Sequence, residues 1–108
     1  MVQDSLQGSL PVLVLKILAR RGPLHGYGIT AQIEEMSDNV LRVEEGSLYP
    51  ALHRMEEAGW VDARWVKTGN KRRARVYEIT AAGRAQLEAR ETRWRAVTAA
   101  VGHILKRA

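Results

Sequence analysis

Between Glu44 and Thr80 the chain reads EEGSLYPALHRMEEAGWVDARWVKTGNKRRARVYEIT, and its polar groups fall into two sets. Ser47, Tyr49, His53 and Arg54 form the first: two hydroxyls, an imidazole and a guanidinium within two helical turns. Hydroxyls there suit hydrogen bonds to phosphate or sugar oxygens, which seat a protein on a duplex without reading its sequence. His53 and Arg54, one turn on, have the reach for base edges, and an arginine can fork onto guanine O6 and N7. Glu57, three residues after Arg54, offers an intrahelical partner instead, and both readings stand. The second set is cationic. Residues 64 to 75 hold six basic side chains (Arg64, Lys67, Lys71, Arg72, Arg73 and Arg75) and no acidic one, whereas residues 1 to 63 hold five basic and nine acidic. A positive field focused on so short a stretch attracts a polyanion.

The elements that must position these groups follow from periodicity. Leu48, Leu52, Met55 and Ala58 share one helix face, and Gly59 ends that helix. Pro50 lacks an N–H, so the helix is expected to begin late enough that no ladder bond is lost. Trp60 to Val66 and Arg75 to Ile79 have strand composition, with Thr68-Gly69-Asn70 as the turn. Upstream, Leu10 to about Arg21 is a helix with Ser9 as N-cap and Pro11 in its first turn. Its stripe is Leu10, Leu13, Val14, Ile17 and Leu18, and Gly22-Pro23 breaks it. A second helix begins at Gly26 or Tyr27 and runs to about Met36, with Ile29, Ile33 and Met36 on its apolar side. Ser37-Asp38-Asn39 is a turn, and Val40, Leu41 and Val43 lead into the third helix. His25 satisfies a local backbone group. Thr80 caps a last helix running to about Lys106. Three helices, a two-stranded β wing and a further helix give a mainly α chain, a winged helix-turn-helix. Residues 1–80 form the DNA-binding unit and residues 81–108 a C-terminal dimerisation helix, together one compact unit.

Alternation puts Arg73 and Arg75 on one side of the wing and Arg72 and Ala74 on the other. One row can face DNA, where a narrow A·T-rich minor groove attracts arginine. With Lys67 and Lys71, these form the expected backbone-contacting set. In the last helix Leu87, Trp94 and Val101 repeat every seven residues, Val97 and Ile104 fall three further along, and Leu105 is adjacent. This is an a/d seam, interrupted by Arg90 and by the small Gly83. A second copy is its simplest cover, so a homodimer is expected on a palindromic operator in double-stranded DNA, with half-sites roughly 34 Å apart.

Other classes fail on inventory. One domain of 108 residues without cysteine carries no disulfide, thiolate metal site or thiol nucleophile, and fits a reducing cytoplasm. No run is long and apolar enough for a membrane span, and the start MVQDSLQGSL lacks a basic leader. His25, His53 and His103 are too scattered for a metal, and no nucleophile elbow or phosphate loop points to an enzyme or a cofactor. RNA recognition has few stacking aromatics to use. The alternative is a winged-helix protein–protein scaffold, which has no need of the Arg64–Arg75 cluster.

PLHGYGI (Pro23 to Ile29), GSLYPALHRMEEAGW (Gly46 to Trp60), Tyr77-Glu78-Ile79-Thr80 and Gly83 are specific in combination, because generic winged helices share the shape but not this wording. Over nearly its whole length the chain resembles the PadR family of transcriptional regulators. Its short C-terminal part resembles the smaller subfamily with a single dimerising helix, and its recognition-helix wording is similar to a subgroup expanded in acidobacteria. The resemblance implies a homodimer, usually a repressor, responsive to small aromatic or drug-like effectors. It implies that Tyr27, the tyrosine of the HGY motif, lies near DNA. In drug-sensing members of the small subfamily a tryptophan stacks on planar ligands across the dimer axis. Trp94, fourteen residues after Thr80, matches that position and is a candidate ligand contact as well as a seam residue.

One departure is informative. Many members have Ser-Pro where this chain has Glu44-Glu45. Carboxylates suit the positive end of a helix, the preferred account; the other is acceptance of a hydrogen bond from cytosine N4. Close to phosphates such carboxylates would be repelled, so Glu45→Gln should strengthen DNA binding irrespective of sequence, measured by anisotropy on several duplexes. A change confined to one C·G pair would reverse the assignment.

Overall fold

The structure, a computed structural model, describes residues 2–107, with side-chain detail from Ser9 to Arg107. Its elements in order are α1 (Val2–Arg21), β1 (Leu24–His25), α2 (Gly26–Met36), α3 (Glu45–Glu57), β2 (Val61–Thr68), β3 (Arg72–Ile79) and α4 (Ala81–Arg107). Helix α1 is the hub, touching α2, α3, α4 and β3. Being surrounded, it buries more than one stripe: Leu10, Val14, Ile17 and Leu18 as expected, and Leu15 as well, with Leu13 half-buried instead. Ser9 is not an N-cap and Pro11 is not in a first turn, because the helix already runs from Val2. A proline removes one ladder bond, and the packing around this helix outweighs that loss. Gly22, at φ 81°, ends it with its N–H on the Leu18 carbonyl.

The sheet has three strands rather than two, in the order β1-β3-β2. Leu24 and His25, extended after Pro23, pair antiparallel with Tyr77 and Val76; two residues are too few to show an alternating pattern. The hairpin runs in register from Val61↔Ile79 to Thr68↔Arg72. Its strands are longer than composition suggests and its loop is Gly69-Asn70-Lys71, with Asn70 and Lys71 at φ 67° and 63°. Ladder pairing carries lysine and arginine into strand positions that their weak β preference disfavours.

In α2, Ile29 and Ile33 are buried, but Met36 is about half exposed, beside a shallow apolar hollow lined by Leu13, Ile17 and Leu41. His25 accepts the Gly28 N–H on Nδ1 at 2.9 Å and caps the helix. Helix α3 buries Leu48, Leu52 and Met55 as expected; the fourth buried position is Ala51, while Ala58 is the exposed C-cap. Trp60 N–H bonds the Met55 carbonyl and Gly59 N–H the Glu56 carbonyl, with Gly59 at φ 81°. That is a Schellman close. Because α3 starts at Glu45, Pro50 lies inside it, and the late start expected from Pro50 does not occur.

Thr80 opens α4. Its Oγ1 accepts the Gly83 N–H at 3.0 Å and donates to the Gly59 carbonyl at 2.6 Å. Gly83 then passes so close to Trp60 that a Cβ would strike its carbonyl oxygen and lie 2.8 Å from the Ile79 side chain. Leu87, read as dimer seam, is 8% exposed within the chain's own core and is unavailable to a partner. After Leu87 no described α4 residue is buried.

The α1–α4 junction is tied by Lys16 Nζ, 3.2 Å from both Glu91 carboxylate oxygens, with Arg95 at 2.7 Å from the same carboxylate. The Lys16 hydrogen bond, foremost, holds the Glu91 carboxyl below its ordinary value of 4.5. A depressed folded-state value stabilises above the unfolded value and is lost as pH falls through the folded one. Thermal melts at neutral and acid pH should therefore show a smaller acid loss for Glu91→Gln than for wild type, with the variant less stable at neutral pH. Gly83→Ala should lower stability by about 2 kcal/mol, roughly 10 °C in melting temperature, because the carbonyl it meets cannot rotate away. Calorimetry checks it.

Candidate nucleic-acid interface

On α3 the ridge opposite the buried face carries Gly46, Pro50, His53 and Glu57. Gly46 and Pro50 are slim there, so another surface can approach the backbone closely. His53 Nε2 stands 3.4 Å from Glu57 Oε1, and both side chains are largely exposed. Glu57 is thus turned to His53, leaving Arg54 without a carboxylate partner among the described residues. Arg54 lies on the flank facing away from the hairpin, in a recess it lines with Pro11, Met55, Trp60 and Arg90. Ser47 is exposed in the first turn. Glu44 is the N-cap residue but makes no side-chain cap bond, so its carboxylate and that of Glu45 act on the helix end only through charge.

The opposite flank of α3 meets the wing. Tyr49 lies against the start of α2, where a Cβ at Gly26 would come within 2.6 Å of its hydroxyl. Tyr27 is 69% exposed beside it. Together with Trp65, Arg72, Arg73 and Tyr77 these residues line an open cleft of about 570 Å³ between wing and helices. The hairpin face that is buried at its base through Val61 and Tyr77 continues outward as Trp65 and Arg75, then Lys67 and Arg73.

The six wing cations are not equivalent. Arg64 pairs with Glu78 at 2.8 Å on the outer face. Arg75 Nη2 donates to Glu56 Oε2 of α3 at 2.8 Å, so this residue, read as a DNA contact, braces wing to helix. Burial pushes the neighbouring Tyr77 phenol above its usual range, and the Arg75 charge partly offsets that. Lys67, Lys71, Arg72 and Arg73 remain, none with a carboxylate partner among the described residues. Trp65 was missed by the sequence reading. It is 54% exposed, and Arg73 and Arg75 lie over its ring at 5.3 and 5.5 Å. Its alternation with the arginines was legible, but which arginine it faces depends on a register set by the loop.

Along α4 the apolar run Trp94, Val97, Val101, Ile104 and Leu105 is exposed, from 42% at Trp94 to 72% at Leu105. Trp94 and Val97 also line a groove against α1 with Val12, Arg90 and Arg93. Arg90, the break in the heptad pattern, is stacked on Trp60 at 4.8 Å. Among the described residues no helix is long and apolar enough to cross a membrane.

A helix-turn-helix with a β-hairpin wing and a long trailing helix is a winged helix-turn-helix protein. Residues 14–89 match the transcriptional regulator PadR-like family, and the chain belongs to it. The transcriptional regulator Rv3488 of Mycobacterium tuberculosis is 45% identical over 65 residues, covering 59% of this chain and 56% of that protein. The structure resembles the PadR family transcriptional regulator of Eggerthella lenta DSM 2243, with a TM-score of 0.78 and 30% identity over 97% of this chain and 88% of that one. It also resembles Bacillus subtilis PadR in complex with operator DNA, with a TM-score of 0.67 and 28% identity over 74% of this chain and 44% of that one.

Proposed function

We propose that the protein is a sequence-specific DNA-binding transcriptional regulator, a homodimeric repressor relieved by a small planar molecule. The observation that carries this reading is the grouping of Lys67, Lys71, Arg72 and Arg73, without a carboxylate partner among the described residues, beside the exposed ridge of α3. A wing of this kind grips phosphates while the ridge enters the major groove. Family membership and the likeness to a PadR bound to its operator support it. Ser47, Tyr27 and Tyr49 are assigned to backbone contacts, and His53 to base edges. Arg54 reaches bases only by swinging out from its flank.

Pairing of two copies through Trp94, Val97, Val101, Ile104 and Leu105 removes the exposed apolar run from water, and it presents two recognition helices to a palindrome. Occlusion of a promoter by such a dimer is repression. For the effector, Glu91, the carboxylate beside Trp94 on α4's inner side among the described residues, is already held by Lys16 and Arg95. The groove offers arginines instead, so a neutral or anionic planar molecule suits it better than a cation.

The test is anisotropy binding to the protein's own upstream DNA and to a scrambled duplex at several salt concentrations. The upstream fragment should be preferred, and the preference should persist at high salt. The double variant Lys71→Ala/Arg72→Ala should weaken binding to both duplexes alike and flatten the slope of log affinity on log salt, by about 0.9 for each phosphate no longer neutralised. Equal binding to both duplexes by wild type, abolished by salt, would refute sequence reading.

A further inference from the structure

We infer that Trp65 is a positioning residue that holds Arg73 over the cleft for a phosphate, at a height set by the recognition helix through Arg75 and Glu56. The inference rests on the DNA-binding reading above and names a residue that reading does not require. Four side chains form a continuous relay. Glu56 on α3 fixes the Arg75 guanidinium at 2.8 Å. Arg75 stands directly across the ladder from Trp65 and lies 5.5 Å from its ring centroid. Arg73, one step further along the same face, lies 5.3 Å from the same ring.

Two guanidinium groups against one indole would repel each other. Here the Arg75 charge is compensated by Glu56, while Arg73 has no acidic partner among the described residues. The ring therefore attracts Arg73 with its π face without neutralising it, and the cation stays available to an external anion. A free arginine side chain has much rotamer freedom to lose on binding. Stacking on the indole removes part of that loss beforehand. Because Glu56 belongs to α3, the position of Arg73 is referenced to the helix that enters the groove, and not only to the hairpin tip. The indole faces the same cleft as Tyr27 and Tyr49, the two tyrosines assigned to backbone contacts.

The distinguishing readout is the salt slope, since removing a neutral side chain should change it only if that side chain places a charge. Trp65→Leu, Arg73→Ala and the double variant are compared with wild type on upstream and scrambled duplexes. Trp65→Leu should weaken binding roughly fivefold to tenfold and flatten the salt slope by up to about 1.8 per dimer, the limit at which one cation per subunit has left the phosphates. The double variant should be no weaker than Arg73→Ala alone. An unchanged slope in Trp65→Leu, or additive losses in the double variant, would overturn the relay while leaving the wild-type preference for upstream DNA intact. Loss of that preference alone would overturn sequence reading and not the relay, because phosphate contacts register on scrambled duplex too. No binding by wild type to either duplex would overturn both. Trp65 is half exposed, so folding is expected to survive; if the leucine variant does not fold, Trp65→Phe carries the same cycle, with a smaller coupling expected and none overturning the relay.

Discussion

Three working parts of this molecule meet at one backbone contact, the seating of Gly83 against the carbonyl of Trp60. The Schellman close of α3 delivers Trp60 there. Thr80, at the end of the hairpin, bonds Gly59 on one side and caps α4 through Gly83 on the other. The recognition helix, the wing and the long helix therefore share one anchorage of a few residues. Only a residue without Cβ lets α4 come this close. Any larger residue would pry α4 from the sheet and shift the angle between α3 with its wing and the helix that trails them.

From that anchorage the hairpin projects beyond the core, and its inner face changes character along its length. At the base it is apolar and covered, in the middle it carries Trp65 and Arg75, and at the tip Lys67 and Arg73. Charge is treated in parallel with distance from the core. Arg75 is compensated where it is half-buried and an unpaired charge would be costly. The tip cations have no carboxylate partner among the described residues, where water solvates them. A wing built this way is tied to α3 near its root and cationic at its end, which suits contact with a polyanion.

Helix α4 divides along its length as well. Up to Leu87 it serves its own chain, and the Lys16–Glu91 tie marks the boundary. Past it, valines, a tryptophan and the final Ile104-Leu105 pair stay in water, an arrangement that favours a covering partner. The proposed dimer thus uses a shorter stretch than the heptad pattern implies, because burial within the chain takes the first turn of that pattern.

Much of this was legible in the sequence. Helix stripes, the glycine stop at Gly59, the Thr80 cap, the local backbone bond of His25 and the concentration of cations in the hairpin are local properties, written within a few residues of where they act. The order of the parts followed from the same periodicities, and the family wording agreed with it. Other features escaped because their cause lies elsewhere in the chain. Leu15 and Ala51 are buried since neighbours close over a second side of each helix, and Pro11 and Pro50 are carried inside helices by packing that outweighs one missing ladder bond. The β1 strand exists only as a partner for β3. Above all, sequence determined that six cations cluster, and tertiary structure decided which remain free. Composition counts charges, but compensation depends on distance, and Glu56 and Glu78 reach Arg75 and Arg64 only once the hairpin has folded into register beside α3.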